Sequence, residues 1–232
     1  MCGRFQLNKI PREIRQWFPP TWRWRFPGDI VPRFNIAPST ETLVVRSRDG
    51  DIVGEMLIWG FRPHWMRQKG KVQINARAET MFDTPMFEYS AGARRCLVIA
   101  DGFYEPKGKT QPRPWYRFHF ADERAFAMGG LWTRWHGDEE SYDSFTIVTT
   151  SANLAVAPIH DRMPLILDES RFDRWLDPQT PKDEAARLAA SGEHAGLVSY
   201  RVSDYAKNPR NEGPACIAPA DEPPAPVQIK LR

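Results

Sequence analysis

TLVVRSRDGDIVGEMLIWGF, residues 42–61, carries two β-prone apolar runs, one on each side of Asp49-Gly50. An Asp-Gly pair between such runs suits a two-residue hairpin turn, whose central residues need positive φ. The stretch therefore predicts an antiparallel hairpin, and its surroundings repeat the theme. RPWYRFHFADERAFAMGGLW (113–132) and SFTIVTT (144–150) read as further strands, the second too apolar for a sheet edge. Helical stretches are few: PREIRQWF (11–18), ESRFDRWL (169–176) and KDEAARLAA (182–190), the last with Asp183 and Glu184 well placed in a first turn. The expected fold is α+β: a β-rich single domain with an antiparallel, barrel-like sheet and a few peripheral helices. It should span residues 1–217, followed by a Pro/Ala-rich tail at 218–232 that has no apolar period and is expected to fray. No internal repeat is visible.

Composition narrows the function classes. A chain of 232 residues with 41% apolar content can bury a sizeable core as one domain. There is no apolar run of about 18 residues to span a bilayer, and no basic-then-apolar leader. A soluble, cytoplasmic protein without a membrane partner is expected, and nothing in the sequence signals oligomerisation, so a monomer is expected too. Cys2, Cys96 and Cys216 are too few and too scattered for a disulfide framework, and none forms a CxxC pair. No metal and no cofactor are expected.

The net charge of +3 conceals an asymmetry. Residues 1–120 carry 20 Lys and Arg against 11 Asp and Glu, whereas residues 121–232 carry 12 against 18. Of the 32 basic residues 24 are arginine, whose planar fork grips phosphate bidentately. Nine tryptophans accompany them. A basic surface with aromatic side chains suits single-stranded nucleic acid, although most tryptophans serve a core and many arginines are ordinary solvated or paired groups.

Four stretches could carry chemistry. MCGRF places Cys2 where removal of Met1 would leave a thiol and a free α-amine on one residue. INARAET (74–80) sets Asn75, Arg77 and Glu79 at alternate positions, which share one side of an extended segment. The plainer reading is a solvated strand face with Arg77 and Glu79 paired. VIADGFYEPKGK (98–109) leads an apolar strand into Glu105, where partial desolvation would raise the carboxyl pKa toward neutrality; otherwise Glu105 is a loop acid. TTSANLAVAPIHDRMPLIL (149–167) holds His160 between Pro158 and Pro164, as a proton carrier or as a structural histidine.

MCGRF, NARAET, DGFYE, HDRMP and the late NPRNEGPACI occur in an order that resembles the SRAP family, the SOS-response-associated peptidases or abasic-site processing proteins. The resemblance covers roughly residues 2–217. It implies recognition of abasic sites in single-stranded DNA, with covalent attachment through the N-terminal cysteine that shields the lesion, and self-removal of Met1 as the origin of the peptidase name. Cys2, Asn75, Glu105 and His160 fall at the catalytic positions. Members often have Trp after the motif glutamate, whereas Pro106 follows Glu105 here, so Trp65 is expected to wedge between bases instead.

The chemistry of the residues agrees. An α-amine has a pKa of about 7.7–8.0 and can form a Schiff base with the ring-opened abasic aldehyde. The Cys2 thiol on the adjacent carbon can then close a thiazolidine. Glu105 and His160 are assigned to proton transfer, Asn75 to orienting the reacting centre, and Arg4, Arg77 and Arg162 to flanking phosphates. Gly3 is expected to allow close backbone approach, with Thr149 and Ser151 adding phosphate contacts. Cys96 and Cys216 read as core thiols. Three rivals stay open: a class II glutamine amidotransferase, which also begins MCG; a non-covalent single-stranded DNA binding module; and a peptidase whose cleavage activity is its main role.

Overall fold

The computed structural model describes residues 2–25, 30–66, 71–137, 140–190 and 192–220. The opening hairpin forms as the sequence suggests. Strands β4 (Glu41–Arg48) and β5 (Asp51–Trp59) pair antiparallel, with Arg48 opposite Asp51. Asp49 and Gly50 both take positive φ, 52° and 83°, as the tight turn requires.

In chain order the other strands are β1 (Phe5–Leu7), β2 (Arg23–Trp24), β3 (Arg33–Ile36), β6 (Asn75–Arg77), β7 (Arg95–Ala100), β8 (Gly102–Pro106), β9 (Trp115–Phe120), β10 (Phe126–His136), β11 (Ser141–Ser151), β12 (Arg162–Pro164), β13 (Ile166–Leu167) and β14 (Leu197–Val202). The helices are α1 (Pro11–Arg15), α2 (Glu88–Ala93), α3 (Phe172–Leu176) and α4 (Lys182–Leu188). Three of the four lie in stretches expected to be helical. The unexpected one, α2, is written EYSAGA, where Ser and Gly weaken the local signal.

The β-rich, barrel-like fold with few helices is the one expected, and its strands divide into two sheets. In the larger, β11, β10, β7, β4 and β5 pair in succession, and β5 returns to β11 to close a five-stranded barrel. The successive pairings are antiparallel, and a parallel seam closes the ring; β6 on β11 and β2 on β5 are parallel too. Between Ser144 and Thr149, the apolar part of its sequence, β11 has strands on both sides. The second sheet runs β14-β9-β8-β1-β3.

The expected strand from Val98 to Glu105 is in fact two. Strand β7 stays in the barrel, and the chain turns at Asp101 and enters the second sheet as β8. The buried Asp101 carboxylate fixes this corner by accepting from Gln6 Nε2 at 2.7 Å and from the backbone amides of Asn8 and Lys9 at 2.6 and 3.1 Å. Phe5 of β1 meets Trp59 of β5 edge to face at 5.1 Å, fastening the second sheet to the barrel.

One interruption positions a loop. At Gly60, φ is +150°, and the chain leaves the barrel edge after its amide donates to Phe145 O at 2.9 Å. It comes back to the same edge of β11 as β6, with Asn75 opposite Ile147 and Arg77 opposite Thr149. The excursion between them carries His64 and Trp65. The tail expected to fray lies outside the described residues from 221 onward.

Candidate functional site

Strand β1 pairs with β8, Phe5 opposite Phe103, and this pairing brings the segment before Phe5 over the strand that carries Glu105. Strand β6 approaches along β11 and β12 lies on the opposite edge of β11's end. Four chain segments remote in sequence therefore converge on Cys2. Asn75 Nδ2 donates to the Cys2 carbonyl at 2.9 Å, while its Oδ1 is buried without a hydrogen-bond partner. A buried amide oxygen left open is costly unless something is meant to meet it.

Cys2 and Glu105 are both fully buried. Burial is the chief cause of the rise in the Cys2 thiol pKa far above its ordinary value, and the neighbouring Glu105 charge adds to it. The thiol donates to Arg4 O at 3.7 Å. Burial also pushes the Glu105 carboxyl up to about 7, so near neutral pH it holds and releases a proton with comparable ease.

His160 Nε2 lies 3.8 Å from Glu105 Oε2. His160 Nδ1 is held by the Arg162 backbone, 3.0 Å from its amide and 3.1 Å from its carbonyl, which turns Nε2 toward Glu105. Burial first, and positive charges including Arg113, hold the His160 pKa below its ordinary value. Hydrogen bonds hold the loop before it. Asn153 Oδ1 accepts from Val156 N at 3.2 Å, the His160 amide donates to Val156 O, and Ala152 N donates to Asp161 O.

Comparison with other proteins gives the family of the chain that brings Cys2, Asn75, Glu105 and His160 together. The family model described as SOS response associated peptidase (SRAP) matches residues 1–209. The chain belongs to the SRAP family. Abasic site processing protein YoqW of Bacillus subtilis is 33% identical over 227 residues, covering 94% of this chain and 99% of that one. Abasic site processing protein HMCES of mouse is 30% identical, covering 95% of this chain and 76% of that one. Among solved structures, a phage-related protein from Bordetella bronchiseptica superposes with a TM-score of 0.70 at 28% identity, covering 87% of this chain and 94% of that one.

Around the SRAP site the expected DNA-contacting residues separate into two groups. Arg77, Ser151 and Trp65 are exposed, Trp65 at 53%, and Gly3 lies beside the site at intermediate exposure. Three others are built into the protein. Arg4 is buried: its guanidinium donates to Asn35 Oδ1 at 2.7 Å and Ala206 O at 3.2 Å and lies 5.3 Å over the Trp115 ring. Thr149 is fully buried, with Oγ1 donating to Ala76 O at 3.3 Å, so it braces β6 from below instead of facing a phosphate as expected. Arg162 forks onto Glu79 at 2.6 and 2.9 Å and also donates to Thr149 O at 2.6 Å.

That fork corrects the expected pairing within INARAET. Strand β6 ends at Arg77 and the chain turns, so Glu79 does not continue the alternating row and pairs with Arg162 instead of Arg77. The hydrogen bond from Arg162 holds the Glu79 carboxyl below its ordinary pKa, and Arg77 makes no ion pair among the described residues. Arg113 was missed in the sequence because Gln111-Pro112-Arg113-Pro114 reads as a plain loop. The packing of that loop on β8 brings its charge to bear on His160. Cys96 and Cys216 are buried, and burial raises both thiols, Cys216 to about 11. Among the described residues there is no cluster of ligating side chains for a metal, and no helix is long and apolar enough to cross a membrane.

Proposed function

We propose that this chain processes abasic sites in single-stranded DNA by joining them covalently through Cys2. Membership of the SRAP family and relatives named as abasic site processing proteins support the substrate. One observation carries the mechanism: a buried cysteine at position 2 whose surroundings hold a carboxyl of pKa about 7 backed by a neutral histidine.

The steps follow from the groups. Removal of Met1 consumes one water and converts the Cys2 amide nitrogen into an α-amine; Cys2 and Glu105 are the groups assigned to that cleavage. The abasic sugar opens to its aldehyde when the C1′ hydroxyl loses a proton and the ring oxygen gains one, a transfer suited to Glu105. The α-amine adds to the aldehyde carbon, Glu105 protonates the carbinolamine hydroxyl, and water leaves to give an imine. The Cys2 sulfur then adds to the imine carbon while its proton passes to the nitrogen, closing a five-membered thiazolidine. Net, aldehyde plus aminothiol gives thiazolidine plus one water.

The site favours each step physically. Both nucleophiles belong to one residue, so the second attack has a very high effective concentration. Asn75 holds the Cys2 carbonyl and keeps Oδ1 for the reacting nitrogen or the sugar hydroxyl. His160, whose Nε2 lies 3.8 Å from Glu105, returns protons to it between steps. The test compares a strand holding one abasic site with the same strand holding a tetrahydrofuran analogue, which has no aldehyde. A denaturant-resistant adduct is expected with the first only; adduct with both, or with neither from protein confirmed to lack Met1, overturns the reading.

A further inference from the structure

Beyond the site, one surface row is built from alternating rings and cations. His64, next to Trp65 in the excursion between β5 and β6, packs edge to face on Tyr89 of α2 at 5.6 Å. Arg94 lies over the Tyr89 ring at 4.9 Å and over the Trp132 ring at 4.9 Å. The guanidinium of Arg46 also lies over the Trp132 ring, at 4.0 Å. The two arginines differ in one decisive respect. Arg46 is buried and neutralised by Glu55 and Asp143 at 2.6 and 2.5 Å. Arg94 makes no side-chain hydrogen bond or ion pair among the described residues, and the Tyr89 ring beside it is 54% exposed.

We propose that Tyr89 and Arg94 form a second contact for single-stranded nucleic acid, taking an unpaired base on the Tyr89 ring and a phosphate on Arg94 several nucleotides away from the lesion. The row begins at His64, the chain neighbour of the exposed Trp65, so a base on Tyr89 would continue from the ring expected to meet the bases at the lesion. An exposed ring beside an unpaired guanidinium fits a base and its phosphate together: any base has a face to stack, and the cation answers the backbone charge. An acidic or purely apolar partner would use one of these groups and leave the other bare. Stacked between two rings, Arg94 is already held in place, which lessens the entropy lost on binding. The proposal rests on the reading above in one respect, that the strand it grips is the lesion strand.

The test is equilibrium binding of the chain to tetrahydrofuran-containing strands, lengthened one nucleotide at a time on each side of the analogue. With no aldehyde present, no adduct forms and affinity alone is read. The wild type should gain affinity at a definite length on one side. Tyr89→Ala should lose that gain, by roughly tenfold, and Tyr89→Trp should keep it, with affinity for the shortest strand unchanged in both. Arg94→Gln should lower the slope of log affinity against log salt by about 0.7, on the longer strands only. A wild type whose affinity does not grow with length, or a Tyr89→Ala variant that keeps the full gain, overturns the proposal. If Arg94→Gln fails to fold, the exposed Tyr89 series decides. Adduct formation on a short aldehyde-bearing strand is scored separately; its absence would sink the covalent mechanism while the length series still judges this contact.

Discussion

In the proposed chemistry Glu105 is the central proton carrier, and its environment makes stability depend on pH. Its folded pKa is pushed up to about 7, so between the unfolded carboxylate range and neutrality the folded chain holds a proton that the unfolded chain has lost. Stability from this group is fully present at low pH and is lost as pH rises through about 7. Glu105→Gln removes that dependence, which amounts to about 3 kcal/mol at most. Thermal unfolding at pH 5 and pH 8 should show a smaller difference in the variant than in the wild type. Adduct formation by Glu105→Gln should be slowed by about 100-fold or more, with affinity for DNA nearly intact; a wild-type rate would remove Glu105 from the mechanism. Arg77, exposed and without an ion pair among the described residues, makes a separable prediction. Arg77→Ala should flatten the salt dependence of binding by about 0.7 per phosphate lost, read by titrations at several salt concentrations. At this scale the sequence identified which residue types matter but not their surroundings. Arg4, Arg77 and Arg162 look alike in the chain, and only folding distinguishes a guanidinium committed to Asn35, one forked onto Glu79 and one left open to solvent.

The hairpin at 42–61 was readable because its turn chemistry and both apolar runs are local. The closure of β5 onto β11 was not, since nothing within either strand says that Ser144 will lie beside Ile58. Nor was the corner at Asp101, where one apolar run divides between two sheets through side-chain bonds reaching back to residues 6–9. The excursion from Gly60 to β6 follows the same pattern, because its importance comes from where it returns. At Gly60 the positive φ leaves no comfortable conformation for a side chain, and an added Cβ would meet Val72 at 3.1 Å. Gly60→Ala should cost about 1–2 kcal/mol in stability and weaken DNA binding through displacement of Trp65, while the adduct rate at saturating DNA stays close to that of the wild type. Denaturant unfolding and binding titrations check the two halves of that expectation. Equal affinity in the variant would mean that the placement of the loop does not matter for DNA.

For the whole molecule, two sheets fastened at Phe5 and Trp59 hold four distant segments against one another, and the site exists only when they are assembled. Phe5→Ala should therefore do more than open a cavity. A cost of about 3–5 kcal/mol is expected from lost packing, along with a fall in adduct yield, because Phe5 lies three residues from Cys2 on the strand that delivers it. All three of the strands β1, β6 and β8 come from residues 1–120, the half with the basic excess, and among them β6 carries the one basic side chain, Arg77. The central claim is that Cys2 joins an abasic aldehyde with both of its nucleophiles. Its most direct test is the intact mass of the product formed with a strand holding one abasic site, beside Cys2→Ala and Cys2→Ser. Such joining gives a stable adduct in the wild type alone, with Met1 absent and a mass one water below protein plus DNA. A stable adduct of the same kind from Cys2→Ala, or none from wild-type protein that has lost Met1, would contradict it.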